Sequence, residues 1–185
     1  MPKIGLKRGS VKLVRHNTSW KKLFEKEKNN LKKILGKSTV DIKHIGSTAI
    51  PRISAKPVID VLVGLGSMKN SRRFIKILEK QGYFYRPKFG HIKQHLTFAK
   101  GSEIKRTHYI HLVKYNGVIW KRDLLFRDYL RAHSHRAKQY DQLKKKLAKK
   151  FTDDRRKYTL NKKNFILKTI EMAVRSRNII TNKSF

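Results

Sequence analysis

Between His44 and Val63 the sequence reads HIGSTAIPRISAKPVIDVLV, which places a glycine, two hydroxyls, a lysine and a carboxylate within reach of one another. Gly46 would let backbone approach a phosphate closely, and Ser47, Thr48 and the loop amides can bind phosphate oxygens. Lys56 adds a point charge, and Asp60 can hold Mg²⁺. That set suits nucleotidyl transfer. Further along, Arg127 and Arg131 stand i, i+4 on one helical face, a spacing that can clamp a phosphate or a carboxylate. His111 could ligate a metal or act as acid or base. Each residue also has a purely structural role open to it. Gly46, Ser47 and Thr48 could form a tight turn that caps the next segment, and Asp60 could be a buried carboxylate paired with Lys56, Arg127 or another cation. His111 could be a hydrogen-bonded strand histidine, and Tyr158 with Lys162, also i, i+4, a packing pair or a contribution to the same cleft.

These residues need elements to position them. Val11 to Val14 alternates like a short strand, and Asn17 or Thr18 can cap a helix carrying Trp20, Leu23, Phe24, Leu31, Ile34 and Leu35 that Gly36 stops. Thr39 to Ile45 reads as a strand leading into the Gly-Ser-Thr loop, after which Pro51 and Pro57 forbid regular helix. Val58 to Leu65 is β-branched and nearly continuous, as expected of a central strand buried on both faces. A second helix from Ser67 or Asn70 presents Phe74, Ile77 and Leu78 and ends at Gly82. Strands come next at His95 to Ala99 and Arg106 to Tyr115, with Lys100 to Glu103 as the hairpin connection. On the second of these, His111 shares a face with Tyr109 and Val113, and His108 points the other way. From Asn116 the pattern is helical, with Ser134 and Asp153 or Asp154 as caps between about three helices. This order predicts one α+β domain over residues 11–176, helical from 117, between a basic tail at 1–10 and a tail at 177–185.

The motifs IGSTAIP, AKPVIDVLV, RTHYIHLV at Arg106 to Val113, FRDYLR at Phe126 to Arg131 and YTLNKKNFI at Tyr158 to Ile166 resemble the GrpB family. The resemblance runs from about Val11 to Met172. It implies the nucleotidyltransferase superfamily, with a mixed β-sheet flanked by helices like the palm of DNA polymerase β. It also implies a nucleotide or other phosphorylated ligand at the Gly46-Ser47-Thr48 loop and the Asp60 strand, with Mg²⁺ on Asp60. Two departures stand out: Arg52 occupies the position where the family usually has glycine after the proline, and despite the family's glutamate-rich name the chain has only five Glu. Leu62 stands where active transferases of this fold carry a second acid two residues beyond the first, an absence the resemblance extends to GrpB relatives generally.

The chain has 12 acidic residues, few enough to search for a substitute. Glu25, Glu27, Glu79, Asp141, Asp153, Asp154 and Glu171 fall in helices or caps expected to be exposed. Asp41, Glu103, Asp123 and Asp128 remain: Asp41 lies on the strand before the loop, Glu103 at the hairpin turn, and Asp128 beside Arg127 and Arg131, where an ion pair is expected. None replaces the missing ligand. The formal net charge of +35 comes from 32 Lys and 15 Arg spread over nearly every segment. It would attract polyanions with strong salt dependence, so a non-catalytic relative that binds RNA is the rival expectation. The densest run, Lys144 to Lys150, reads as an amphipathic helix with a solvated lysine face, its apolar side formed by Tyr140, Leu143 and Leu147. The absence of cysteine rules out disulfides and thiolate metal sites. No apolar run approaches a membrane span, and the short basic start lacks a signal core, so a cytoplasmic location is expected.

Overall fold

The computed structural model describes residues 4–87, 94–102 and 104–182. Its centre is a mixed sheet. Strands β2 (Thr39–Ile45), β3 (Ile59–Leu65), β6 (Lys105–Lys114), β5 (His95–Gly101) and β4 (Phe84–Tyr85) lie side by side in that order. The pairs are antiparallel except β3 with β6, which run parallel and are joined through helix α2 (Arg73–Glu79) and the β4–β5 hairpin. Leu6–Lys7, inside the stretch read from sequence as a basic tail, forms a further strand, β1, against the start of β6. The alternation at Val11 to Val14 yields only a single bridge, Val14 with Ala55. Glu103 lies outside the described residues.

The two faces of the sheet differ in chemistry. Val61, Val63, Ile110, Leu112, Leu96 and Phe98 point to a predominantly apolar face closed by α1 (Ser19–Leu35) and α2. On α1 the buried positions are Trp20, Phe24, Glu27, Leu31 and Leu35, one stripe at i, i+4, i+7, i+11 and i+15. Asn17 Oδ1 accepts from the Ser19 amide at the helix start, and Gly36 closes its end at φ 53°. Glu27 therefore sits on the core stripe, not on an exposed face. Its carboxylate accepts from the Tyr83 hydroxyl at 2.5 Å and from Lys100 Nζ at 2.7 Å, so a buried charge is matched by two donors. His108 lies on this side, as its register requires. On α2, Phe74 and Leu78 are buried, but Ile77, expected beside them, is exposed.

The opposite face is mixed. In register across β3, β6 and β5 it carries Asp60 and Leu62, Tyr109 and His111, and Thr97 and His95. Leu62 packs with Ile45, Val113 and Trp120 beneath α3 (Val118–Ala132), so the position where a second acid was sought belongs to a dry cluster. Helices α4 (Ser134–Lys150), α5 (Arg155–Leu160) and α6 (Lys163–Asn182) complete the helical third, with Asp154 capping α5 through the Lys157 amide. Among the described residues no helix is long and apolar enough to cross a membrane.

Arg52 explains its own departure from the family pattern. Its φ is 65°, a left-handed conformation that glycine adopts without penalty and an arginine does not. Arg52→Gly is therefore expected to raise the unfolding free energy by up to about 1 kcal/mol, the relief of strain exceeding the added freedom of the unfolded chain. Urea denaturation checks this, and a less stable variant would contradict it.

Candidate functional site

Asp60 is paired across the sheet with Ile45 on β2 and Tyr109 on β6. The residue after Ile45 is Gly46, at φ 71°, and its α-carbon lies so close to Asp60 that an added methyl would land on the carboxylate. Glycine is needed there twice over, for its backbone angle and for space. His111, two residues beyond Tyr109, sets its Nε2 3.9 Å from Asp60 Oδ1, too far for a direct hydrogen bond. Burial alone would push the Asp60 carboxyl up, but His111, Lys56 and Arg155 outweigh it and hold the group below the ordinary aspartate value.

Three cations converge on this carboxylate from the loop before β3 and from the C-terminal helices. Lys56 Nζ lies 5.2 Å from the Tyr158 ring centre and Lys162 Nζ 4.4 Å from it, so one buried tyrosine carries two lysines. Arg155 donates to the Tyr109 hydroxyl at 2.9 Å and lies over that ring. Burial lowers Lys56 well below the usual lysine value, with Arg155 and Lys162 adding to the effect. Burial likewise brings Lys162 to about 8, against the pull of Asp60. Behind them, Lys144 is almost fully buried, donates to the Ser54 carbonyl and faces Asp141 at 3.7 Å. Burial lowers it to about 7. Lys144 and Asp141 thus correct the sequence reading of α4, which placed both on a solvated face. Asp141 accepts from the Ser54 amide and pairs with Lys145.

Among the described residues no lysine or arginine lies within 4 Å of the Asp60 carboxylate, so the cations surround the acid without neutralising themselves on it. Nor do those residues hold any group of three histidine, cysteine or acidic side chains suited to a metal. One carboxylate flanked by Lys56, Arg155 and an imidazole does not fit a resident Mg²⁺, which seeks several oxygens and is repelled by those charges. The Mg²⁺ expected on Asp60 therefore has no donor set here.

The expected loop and arginines divide between two places. Gly46 lies against Asp60, and Ser47 lies beside the buried Tyr140. Thr48 turns away to His44 Nε2 at 2.9 Å. Arg127 and Arg131 are not brought to Asp60. Arg127 donates to the His44 carbonyl at 2.8 Å and forks onto Asp128, and Arg131 donates to the Ala49 carbonyl at 2.8 Å. They brace the turn from a separate concavity of about 460 Å³ along the β2 edge, where His16, Phe24 and His44 also sit. Sequence reasoning passed over Arg155, for which no spacing gave a signal. Lys144 did leave one, since Tyr140, Lys144 and Leu147 fall on one face at i, i+4, i+7.

Comparison with known proteins agrees with this fold. The model of the family described as GrpB protein matches residues 10–172. The chain is 41% identical to the glutamate-rich protein GrpB of Alkalihalophilus pseudofirmus, over 88% of this chain and 95% of that one. It is 38% identical to the UPF0157 protein YqkA of Bacillus subtilis over 89% of its own length but only 48% of that longer relative. Among solved structures, the conserved protein GrpB from Enterococcus faecalis superposes with a TM-score of 0.81 at 34% identity, covering 90% of this chain and 99% of that one.

Gly46→Ala tests the contact at the centre of the site. The variant is expected to lose about 2 kcal/mol of stability or more, from a left-handed alanine and a displaced Asp60. Chemical denaturation measures it, and a neutral result would mean that the turn and the carboxylate are not in contact.

Proposed function

The chain belongs to the GrpB family, and on that premise we propose that it binds a phosphorylated small molecule, a nucleotide or a related polyphosphate, in the Asp60 cleft. The observation that carries this reading is the unmatched charge of Lys56, Arg155 and Lys162 about a single carboxylate. Half-buried lysines without a counter-ion are costly, and an anion beside Asp60 would remove the cost for both lysines at once and pair with Arg155. The Gly46-Ser47 turn supplies the close backbone approach that a phosphate needs. The nucleotidyltransferase-like arrangement of the two strands supports a nucleotide as the carrier of that phosphate. Transfer through a pair of Mg²⁺ ions is not part of the reading, because the second carboxylate position is Leu62, inside an apolar cluster. The rival reading, RNA held by the diffuse surface charge, draws no support from the cleft.

Isothermal titration with pyrophosphate and with nucleoside triphosphates tests the proposal. Lys56→Ala, Lys162→Ala and Arg155→Ala are each expected to weaken binding by about tenfold or more, the effect of losing a charge-assisted hydrogen bond of about 1.5–3 kcal/mol. Lys145→Ala, whose side chain is largely in solvent, leaves it unchanged. A bound anion favours the protonated lysine, so affinity should fall as pH rises through about 8, where Lys162 loses its proton in the free protein. Affinity that rises with pH, or that ignores all three substitutions, would remove this function. RNA binding that persists in the Lys56 and Lys162 variants and weakens steeply with salt would favour the rival.

A further inference from the structure

Beside the anion cleft, β5 and β6 hold two histidines that phosphate binding alone does not use. His111 Nδ1 lies 3.0 Å from His95 Nε2, and the same His95 nitrogen lies 3.1 Å from Thr97 Oγ1. The rings are tilted by 42° with centres 5.2 Å apart, so they meet through nitrogens, not by stacking. The arrangement follows from register. Thr97 is opposite His111 and His95 opposite Val113, which brings all three side chains to the face that carries Asp60. Only one histidine was legible as chemistry in the sequence, and the cross-strand partner comes from pairing.

We propose that the cleft hydrolyses a phosphoanhydride of its ligand with His111 as general base and without a resident metal, His95 and Thr97 acting as positioning residues. This rests on the phosphorylated-ligand reading above. In this tautomer the one lone pair of His95 Nε2 accepts from the His111 Nδ1–H, with Thr97 Oγ1 against the same nitrogen to hold the ring, and the His111 Nε2 lone pair is left on the Asp60 side. His95 is kept neutral by burial and by the adjacent His111 and Arg122, its pKa lowered to about 4, so it remains an acceptor at neutral pH. The 3.9 Å between His111 Nε2 and Asp60 Oδ1 is too long for direct contact and right for one water that donates a hydrogen bond to each.

The step balances with water as the only co-reactant. Water oxygen attacks phosphorus and forms the new P–O bond, and its proton passes to His111 Nε2. The bridging P–O bond breaks, and its electrons leave on the departing phosphate. Lys56, Lys162 and Arg155 offset that charge, so the leaving group needs no proton to depart. His111 then returns its proton to solvent. Asp60 stabilises the imidazolium between these events, as a carboxylate near a catalytic histidine does. The charged and titratable groups that face the pair are Asp60 on β3, Lys56 before it, Arg155 on α5 and, beside His95, Arg122 on α3.

The test uses the full chain, a panel of nucleoside triphosphates with EDTA present, phosphate release as one readout and pyrophosphate titration as another. His111→Gln and His111→Asn are expected to slow release by about 100-fold or more, the usual worth of a general base, with pyrophosphate affinity within about threefold of wild type. His95→Leu is expected to slow release by about tenfold and to move the acid limb of its pH profile, while His95→Gln, whose side-chain oxygen can accept from His111, restores most of both. Pyrophosphate binding without any phosphate release, release that depends on added Mg²⁺, or release indifferent to His111 would overturn this proposal and leave the binding function standing. Failure to bind pyrophosphate would overturn both.

Discussion

Three cations share the neighbourhood of one carboxylate in this protein, and the arrangement of the other elements serves that imbalance. Elsewhere several charged side chains are matched. Glu27 takes two donors, Tyr83 and Lys100, beneath the sheet, and Asp141 takes the Ser54 amide and Lys145. Arg127 is divided between Asp128 and the His44 carbonyl. At Asp60 the same fold leaves Lys56 and Lys162 on the face of one tyrosine with no acid in contact among the described residues. Drawing a lysine away from water with no acid against it is costly, and among the described residues Lys56 and Lys162 both stand that way beside Asp60.

The supporting structure fixes the turn beside Asp60. Gly46 could not carry a side chain without striking Asp60, and its turn is held from behind by Arg127 and Arg131 through the carbonyls of His44 and Ala49. The FRDYLR motif is thus mechanical here: its arginines fix the turn through backbone carbonyls. Leu62 has a similar explanation. Its side chain fills the layer between the sheet and Trp120, where a carboxylate would be stranded in an apolar cluster.

The fold was legible to the degree that periodicity reported it. The strand over Thr39–Ile45, the helix from Ser19 to Leu35 and the caps at Gly36 and Asp154 follow from spacing and residue type. Glu27 and Lys144 were misread because charge was allowed to outvote position, although both fall on apolar stripes at helical spacing. Ile77 was misread in the opposite sense, on a short helix that buries only Phe74 and Leu78. The site was legible in part. Gly46, Ser47, Lys56, Asp60 and His111 meet as their motifs suggested, but Arg155 and His95 reach the cleft by tertiary packing and by strand register, which no local pattern encodes. Arg127 and Arg131 had the right spacing for an anion clamp and found backbone carbonyls instead.

The charge excess in the cleft is open to direct measurement by following the ε-CH₂ signals of Lys56, Lys144 and Lys162 by NMR as a function of pH, each assigned by substitution. In the free protein all three are expected to titrate well below the ordinary lysine value, Lys162 near 8 and Lys144 near 7, and Lys56 and Lys162 to move upward when pyrophosphate is added. Midpoints near 10.4 for all three, the value of a solvated lysine, would show that their charges are matched or hydrated and that the cleft holds no unmet demand for an anion.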